Sequence, residues 1–186
     1  MKSRGSVAII GGSMAGLFAA ISLRSLNFDV NIFERSAGDL TNGGAGIATH
    51  SQLYDALETA GVELRAEMGI QSNGRIMFDN EGKIMHRVAM KQIMTSWGLI
   101  YRFLRKQIPK ENYHSEHCLK NLSFSGKSVT AVFANGDNVT TDWLIGADGA
   151  RSQVRRIVAP TITPIYAGYL GWRGLIDENL IPKEVV

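Results

Sequence analysis

The sequence has little cysteine and proline and no long apolar run. Its 186 residues include one cysteine, Cys118, and four prolines. A single cysteine cannot form an internal disulfide, so we expect a reducing compartment and a cytoplasmic location. No apolar stretch reaches the roughly 20 residues of a membrane-spanning helix, so we expect no membrane partner.

A large excess of one charge is also missing. Lys and Arg number 20 against 17 Asp and Glu, which gives a formal net charge of +3. That charge is too small and too scattered to predict a nucleic-acid partner. Basic residues cluster within 102–106 and 151–156 at helical spacing, which is typical of a solvated helix face. The hydrophobic content of 45% indicates a globular chain with room for one domain, or for one domain and part of another.

An apolar strand, a glycine turn and a helix follow one another near the N-terminus. Val7–Ile10 predicts a buried strand, and apolar residues recur at helical spacing from Met14 to Leu26. Between them Gly11 and Gly16 suit a turn that places a pyrophosphate at the N-terminus of the helix. The pattern is G-x-S-x-x-G, so Ser13 stands where a second glycine is usual and could instead donate its hydroxyl to a phosphate.

A second strand ends in an acidic residue. Val30–Phe33 alternates as a strand should, and Glu34 follows it. A carboxylate about 20 residues beyond the glycine turn binds the ribose hydroxyls of a dinucleotide and repels a phosphate on that ribose. The whole unit therefore predicts a nucleotide site rather than an incidental helix start.

The N-terminus has an alternative interpretation as a secretory signal peptide. Lys2 and Arg4 precede an apolar stretch that runs to Leu23, as in exported proteins. The glycine turn interrupts this stretch, and Glu34 has no place in a signal peptide. We therefore expect the N-terminus to be retained.

The loop from Ser36 to Thr49 is rich in glycine, which predicts a backbone platform for a flat ligand, with a flexible connector as the alternative. Further on, Trp143–Ala147 predicts a buried strand that ends at Asp148-Gly149, where an open α/β sheet gathers its ligand. The other elements predicted are a helix Gln52–Ala60 capped by Ser51, short strands in 70–88 with turns at Asn73-Gly74 and 79–82, a helix Met90–Ile108, three strands within 117–140, a helical segment from Arg151 with Ser152 as a cap, and a strand Ile165–Ile176.

Together these pieces resemble the single-component FAD-dependent aromatic hydroxylases of the p-hydroxybenzoate hydroxylase fold. The matching stretches are Gly11–Gly16 with Glu34-Arg35, Gly44–Ile47, and Asp142–Arg155. The resemblance implies an α/β protein: a Rossmann-like FAD-binding βαβ domain with an inserted antiparallel substrate-domain segment, truncated so that this chain is the N-terminal portion. It assigns 1–69 and 96–160 to the FAD-binding domain, 70–95 to the insertion, and 161–186 to the start of the substrate-domain sheet.

The resemblance also implies a function, namely hydroxylation of a small aromatic or N-heteroaromatic substrate by FAD, with NAD(P)H and O2 as co-substrates. The alternatives are a nicotinamide-linked flavoprotein reductase or dehydrogenase and a non-catalytic nucleotide-binding fragment. By this resemblance the FAD-binding residues are Gly11, Gly12, Ser13, Met14, Ala15, Gly16, Glu34, Arg35, Gly44, Ala45, Gly46, Ile47 and Asp148.

Two departures from the family pattern stand out. Trp97 occupies the helix start where many relatives carry an arginine that reaches the flavin. The family's third fingerprint, a Gly-Asp between a strand and a helix, is absent from these 186 residues. The unpaired strand at Ile165–Ile176 is expected to favour a homodimer or another association.

Two sets of polar residues leave alternatives open. His50 follows the flavin loop and is a candidate catalytic residue, although capping a helix is the commoner role for such a histidine. His114, His117 and Cys118 crowd one segment, where a zinc ion would need a fourth ligand at proper spacing. We favour a structural role for this trio and predict no metal.

Overall fold

The computed structural model describes residues 3–38, 40, 46–62, 68–172, 174 and 177–181. The strands are β1 (Ser6–Ile10), β2 (Asp29–Phe33), β3 (Gly46–Ala48), β4 (Ile70–Phe78), β5 (Ile84–Ser96), β6 (Tyr113–His114), β7 (Leu119–Ser125), β8 (Ser128–Phe133), β9 (Asn138–Thr141) and β10 (Trp143–Gly146). The helices are α1 (Met14–Ser25), α2 (Ser51–Thr59), α3 (Trp97–Lys106) and α4 (Gln153–Val158), with short 3-10 turns at Lys110–Asn112 and Glu178–Leu180. In the described part of the chain no helix is both long and apolar enough to cross a membrane.

A parallel sheet in the order β10-β1-β2-β6 forms the centre of the fold. Val7 and Ile9 of β1 pack into one core with residues of α1 and α3. Ala8 and Ile10 face the other way and pack against β7 and β8. Side chains alternate along a strand, so the apolar run 7–10 is explained by layers on both faces of the sheet. The predicted Rossmann-like unit is confirmed.

The second sheet is antiparallel, in the order β3-β5-β4. Its hairpin turn is the predicted one, and the Asp79 carboxylate accepts hydrogen bonds from the backbone N–H groups of Glu81 and Lys83 at 2.9 and 2.8 Å. The turn predicted at Asn73-Gly74 is wrong. These residues lie inside β4, where the register against β5 shifts between Ser72 and Gly74, because a β-bulge meets the same preference for a small residue as a turn does.

The helix predicted over Met90–Ile108 begins only at Trp97. Residues Met94–Ser96 belong to β5 and pair with Gly46–Ala48 of β3. The hydrogen bonds of this distant pairing override the local helical pattern. Ser96 then caps α3, since its hydroxyl accepts a hydrogen bond from Leu99 N at 3.1 Å.

Two predictions around the glycine-rich loop need correction. Residues Gly46–Ala48 form β3 rather than loop, whereas 41–45 lie outside the described residues. Helix α2 is capped by His50 and not by Ser51, since Leu53 N donates to His50 Nδ1 at 3.3 Å. The extended backbone of His50 gives it the usual N-cap geometry.

The strand predicted over Ile165–Ile176 is not present in its described part, 165–172 and 174. Apolar side chains there are solvent-exposed, with Ile165 at 90% and Trp172 at 95%. No described strand offers this segment backbone partners, and a strand is stable only when its ladder is paired.

Candidate functional site

A cleft of about 350 Å³ opens at the carboxyl ends of β1, β2 and β10. Strand β1 lies between β10 and β2. The crevice outside the carboxyl ends of such parallel strands is where an open α/β sheet binds its ligand. The cleft is lined by Ile10, Gly11, Ser13, Ala15, Phe33, Glu34, Arg35, Ser36, Leu40, His117, Cys118, Leu119, Ala147, Asp148, Gly149, Arg151 and Gln153.

The glycine turn packs too tightly for any side chain at Gly11, Gly12 or Gly16. Gly11 has a φ of +109°, and a Cβ there would lie 2.3 Å from the carbonyl oxygen of Ala147. A Cβ at Gly16 would lie 1.9 Å from the carbonyl oxygen of Gly11. The turn is thus pressed against the end of β10 on one side and α1 on the other, which brings backbone to the cleft.

The N-terminus of α1 carries free hydrogen-bond donors. Met14, Ala15 and Gly16 form the first turn of the helix, and the N–H groups of a first turn have no acceptor within the helix. Ser13 is the N-cap residue, yet no side chain of the described chain caps this end, and the first turn has no acidic residue. The helix dipole adds partial positive charge, so this end suits the phosphate oxygens of a dinucleotide.

Glu34 is 7% exposed and faces the same cleft. Its Oε2 accepts a hydrogen bond from Gly12 N at 2.7 Å, and its Oε1 accepts one from Ser36 N at 3.0 Å. A carboxylate has about four acceptor positions, so two remain for the hydroxyl groups of a ribose. The orphan donors of α1 and these acceptors are complementary to the pyrophosphate and ribose of FAD, and the residues present therefore fit that cofactor.

Asp148 lies at the edge of the cleft but its carboxylate is largely engaged with α4. Oδ2 accepts hydrogen bonds from the N–H groups of Gln153 at 2.6 Å and Val154 at 3.1 Å, and Oδ1 accepts one from the Ser152 hydroxyl. The hydroxyl oxygen of Ser152 in turn accepts a hydrogen bond from Arg155 N at 2.9 Å, which confirms its predicted capping role. Asp148 thus stabilises the start of α4.

Not all of the other predicted site residues lie at the cleft, since Gly12, Met14 and Gly16 are not among the residues that line it. Gly11, Ser13, Ala15 and the exposed Arg35 line the cleft with Glu34 and Asp148. Gly46 and Ile47 lie in β3, in the antiparallel sheet, and Gly44 and Ala45 lie outside the described residues. His50 is exposed at the start of α2 and is not among the cleft residues.

Sequence reasoning did not place His117 and Cys118 in the cleft. The two-residue strand β6 pairs with the end of β2, and His117 N donates to the Glu34 carbonyl at 2.9 Å. This pairing carries the segment after β6 past Glu34. Such a short strand has no detectable periodicity, so only the aromatic residues near it offered a signal.

The histidines of this segment have structural partners. His117 contacts the Asp137 carboxylate at 3.1 Å and the Ser115 carbonyl at 2.6 Å, while His114 stacks on Phe33 with ring centroids 4.8 Å apart. Burial, followed by repulsion from His117, lowers the pKa of His114. Within the described ranges no group of three or more His, Cys, Asp or Glu residues is placed to hold a metal ion.

Comparison with known proteins decides the family. The sequence profile of the FAD binding domain matches residues 4–164. The chain belongs to this family of FAD-binding domains. FAD is therefore its cofactor, as the resemblance in the sequence implied.

Relatives of this domain are larger proteins. The chain is 35% identical to 2,6-dihydroxypyridine 3-monooxygenase of Paenarthrobacter nicotinovorans over 179 residues, which is 96% of this chain and 45% of that protein. It is 29% identical to the FAD-dependent urate hydroxylase of Mycolicibacterium vanbaalenii, covering 93% of this chain and 47% of that one. The solved structure of 2,6-dihydroxypyridine-3-hydroxylase from Arthrobacter nicotinovorans superposes with a TM-score of 0.80 at 34% identity, over 90% of this chain and 42% of that chain. The chain thus spans a little under half the length of these relatives.

Proposed function

We propose that the whole protein to which this chain belongs is an FAD-dependent monooxygenase. It hydroxylates a small aromatic or N-heteroaromatic substrate with NAD(P)H and O2, and this chain binds the adenosine and pyrophosphate half of FAD. The observation that carries the proposal is the meeting of two complementary groups in one cleft. These are the uncapped N-terminus of α1 and the Glu34 carboxylate with its two remaining acceptor positions.

The residues of the chain would divide the cofactor between them. The N–H groups of 14–16 would donate to the pyrophosphate oxygens, and Glu34 would accept hydrogen bonds from the adenosine ribose. Arg35 would flank the adenosine. Asp148 would hold the loop before α4 against the pyrophosphate, and the stretch Gly44–Ile47 would pass beside the flavin ring.

FAD, when bound, supplies the electron transfer from NAD(P)H and the activation of O2 that ring hydroxylation requires. The chain's own contribution is to bind and orient the cofactor. His50 remains a candidate for a substrate-facing group, but its ring nitrogen Nδ1 already accepts a hydrogen bond at the start of α2. The names of the relatives, which act on dihydroxypyridine and urate, support an electron-rich heteroaromatic ring as the substrate.

The division of the chain between domains is part of the proposal. Residues 1–69 and 96–160 would form the FAD-binding domain, 70–95 the substrate-side insertion, and 161–186 the start of the substrate-domain sheet. The change from the antiparallel β5 to α3 at Ser96–Trp97 supports the second boundary. We also propose a cytoplasmic location.

A flavin spectrum combined with a substrate screen tests the proposed function. The purified full-length protein should show visible flavin absorbance and should oxidise NAD(P)H faster when hydroxylated pyridines or phenols are added. Isotopically labelled O2 should place one labelled oxygen on the ring. Substrate-stimulated oxidation without labelled product would favour the reductase or dehydrogenase instead, and absence of flavin after incubation with FAD would contradict the proposal altogether.

A further inference from the structure

The phenol of Tyr113 packs directly beneath the glycine turn. Tyr113 lies in β6, and its hydroxyl donates a hydrogen bond to the carbonyl oxygen of Gly12 at 3.2 Å. A Cβ at Gly12 would lie only 2.2 Å from that hydroxyl oxygen. The missing side chain of Gly12 is thus the space that Tyr113 occupies.

Both backbone polar groups of Gly12 form hydrogen bonds to side chains. Its N–H donates to Glu34 Oε2 at 2.7 Å, and its carbonyl accepts from Tyr113. The two partners come from adjacent strands, Glu34 from the end of β2 and Tyr113 from β6. Movement of the turn relative to the sheet would break both bonds.

The direction of the Gly12 carbonyl determines the direction of the next N–H group. In a planar trans peptide the C=O and the following N–H point in opposite directions. With the Gly12 carbonyl aimed at Tyr113, the Ser13 N–H points away from Tyr113. Ser13 lines the cleft, whereas Tyr113 does not, and within the described chain the Ser13 N–H has no hydrogen-bond acceptor.

A second tyrosine fixes the hydrogen-bond direction. The hydroxyl oxygens of Tyr101 and Tyr113 are 3.3 Å apart. Because the Gly12 carbonyl can only accept, the single hydroxyl proton of Tyr113 goes to Gly12, and Tyr101 donates to Tyr113. Tyr101 is 2% exposed on α3, and the guanidinium of Arg105 lies 4.1 Å from the centroid of the Tyr113 ring.

The Tyr113 hydroxyl strongly favours its protonated form. Burial of the phenol is the main cause that raises the pKa of Tyr113 far above its ordinary value. The Glu34 charge acts in the same direction, and Arg105 acts against it. The hydroxyl is therefore available as a donor to Gly12 at neutral pH.

We propose that Tyr113 is a positioning residue for the pyrophosphate of FAD. By holding the Gly12 carbonyl on the side away from the cleft, it presents the Ser13 N–H to a diphosphate lying at the N-terminus of α1. This role rests on the proposed binding of FAD in the cleft. The recognised chemistry is the diphosphate group, not the adenosine.

The test compares three ligands that differ in phosphate content. Dissociation constants of FAD, ADP and adenosine are measured by titration calorimetry on the full-length protein and on Tyr113→Phe. We expect the affinity for FAD and for ADP to fall about threefold to tenfold, the range for one neutral hydrogen bond, with the affinity for adenosine unchanged. Tyr54→Phe is the matched control, because it removes a hydroxyl of α2 that donates a hydrogen bond to Thr49 Oγ1 at 2.7 Å. This substitution should change none of the three dissociation constants.

A second variant guards against misfolding of the first. Tyr101→Phe removes the donor to Tyr113 but leaves the Tyr113 hydroxyl in place, so it should cause a smaller loss confined to FAD and ADP. Equal losses for all three ligands, or no loss for either variant, would overturn the positioning role while leaving FAD binding intact. Failure of the unaltered protein to bind FAD would overturn the proposed function, and this inference with it.

Discussion

At the scale of single residues, the glycine turn depends on close backbone packing that leaves no room for a methyl group. A Cβ at Gly16 would lie 1.9 Å from a backbone oxygen, whereas a Cβ at Gly38 would meet nothing within 4 Å. Gly16→Ala should therefore lower the free energy of unfolding by about 2 kcal/mol or more, as overpacking does. Gly38→Ala is the matched control and should be neutral or slightly stabilising.

Urea unfolding of both variants checks this prediction. If the two substitutions change the free energy of unfolding equally, α1 can move away from the turn to accommodate the methyl group at residue 16. The close packing that brings backbone to the cleft would then not be required.

His114 should make stability depend on pH on the acid side. Its pKa is lowered by burial first and then by His117, so below about pH 6.5, the ordinary histidine value, the unfolded chain binds protons more readily than the folded one. Stability from this group is therefore complete above that pH and falls as the pH drops. Neighbouring charges are His117 and Asp137, of which Asp137 acts in the opposite direction.

Denaturant unfolding at pH 7.5 and about pH 5.5 measures this effect. His114→Gln should show a smaller loss of stability between the two pH values than the unaltered protein. His86→Gln, on the exposed part of β5, serves as the control and should leave the difference unchanged. An identical pH dependence in all three proteins would contradict the assignment.

At the scale of elements, α4 depends on two capping side chains. The Asp148 carboxylate accepts hydrogen bonds from the N–H groups of Gln153 and Val154. Asp148→Ala should lower the free energy of unfolding by about 1–2 kcal/mol, as the loss of a helix cap does. Asp55→Ala, at an exposed position of α2, should cost little, and an equal effect of the two substitutions in thermal unfolding would refute the capping role.

Some elements could be predicted from the sequence and others could not. The unit β1–α1–β2 and its turn could be predicted because their signals are local: an apolar run, two glycines and a terminal acid. The start of α3 could not, because Met94–Ser96 is held in β5 by pairing with β3, whose paired residues lie 46 to 50 positions earlier in the chain. Strand β6 was missed for a related reason, since its two residues are defined only by their partners in β2.

The candidate site follows the same rule. Glu34 and the start of α1 were predicted from spacing, and the structure brings them to one cleft. His117 and Cys118 joined that cleft through the pairing of β6 with β2. Asp148 was predicted from its place at the end of a strand and from the resemblance, but the hydrogen bonds that engage its carboxylate depend on the exact start of α4.

At the scale of the whole molecule, apolar surface is exposed toward the C-terminal end. Ile165, Tyr169, Leu170 and Trp172 are each more than 70% exposed. Exposed apolar surface favours association, so a polypeptide of residues 1–186 expressed alone should self-associate. We also expect this polypeptide not to turn over a substrate. The full-length protein, in contrast, is expected to turn over a substrate. Light scattering and substrate-dependent NAD(P)H oxidation on the two proteins side by side test this, and a monomeric, active short form would contradict it.

The most direct test of the account is the affinity for FAD when Glu34 is altered. Glu34→Gln keeps the size of the side chain but removes its charge and some of its acceptor positions, so the dissociation constant of FAD for the full-length protein should rise about tenfold, since hydrogen bonds to a charged group are the stronger kind. Glu58→Gln, exposed on α2, should leave it unchanged. Equal affinities for the unaltered protein and Glu34→Gln in a flavin fluorescence titration would show that the ribose of FAD does not lie against Glu34.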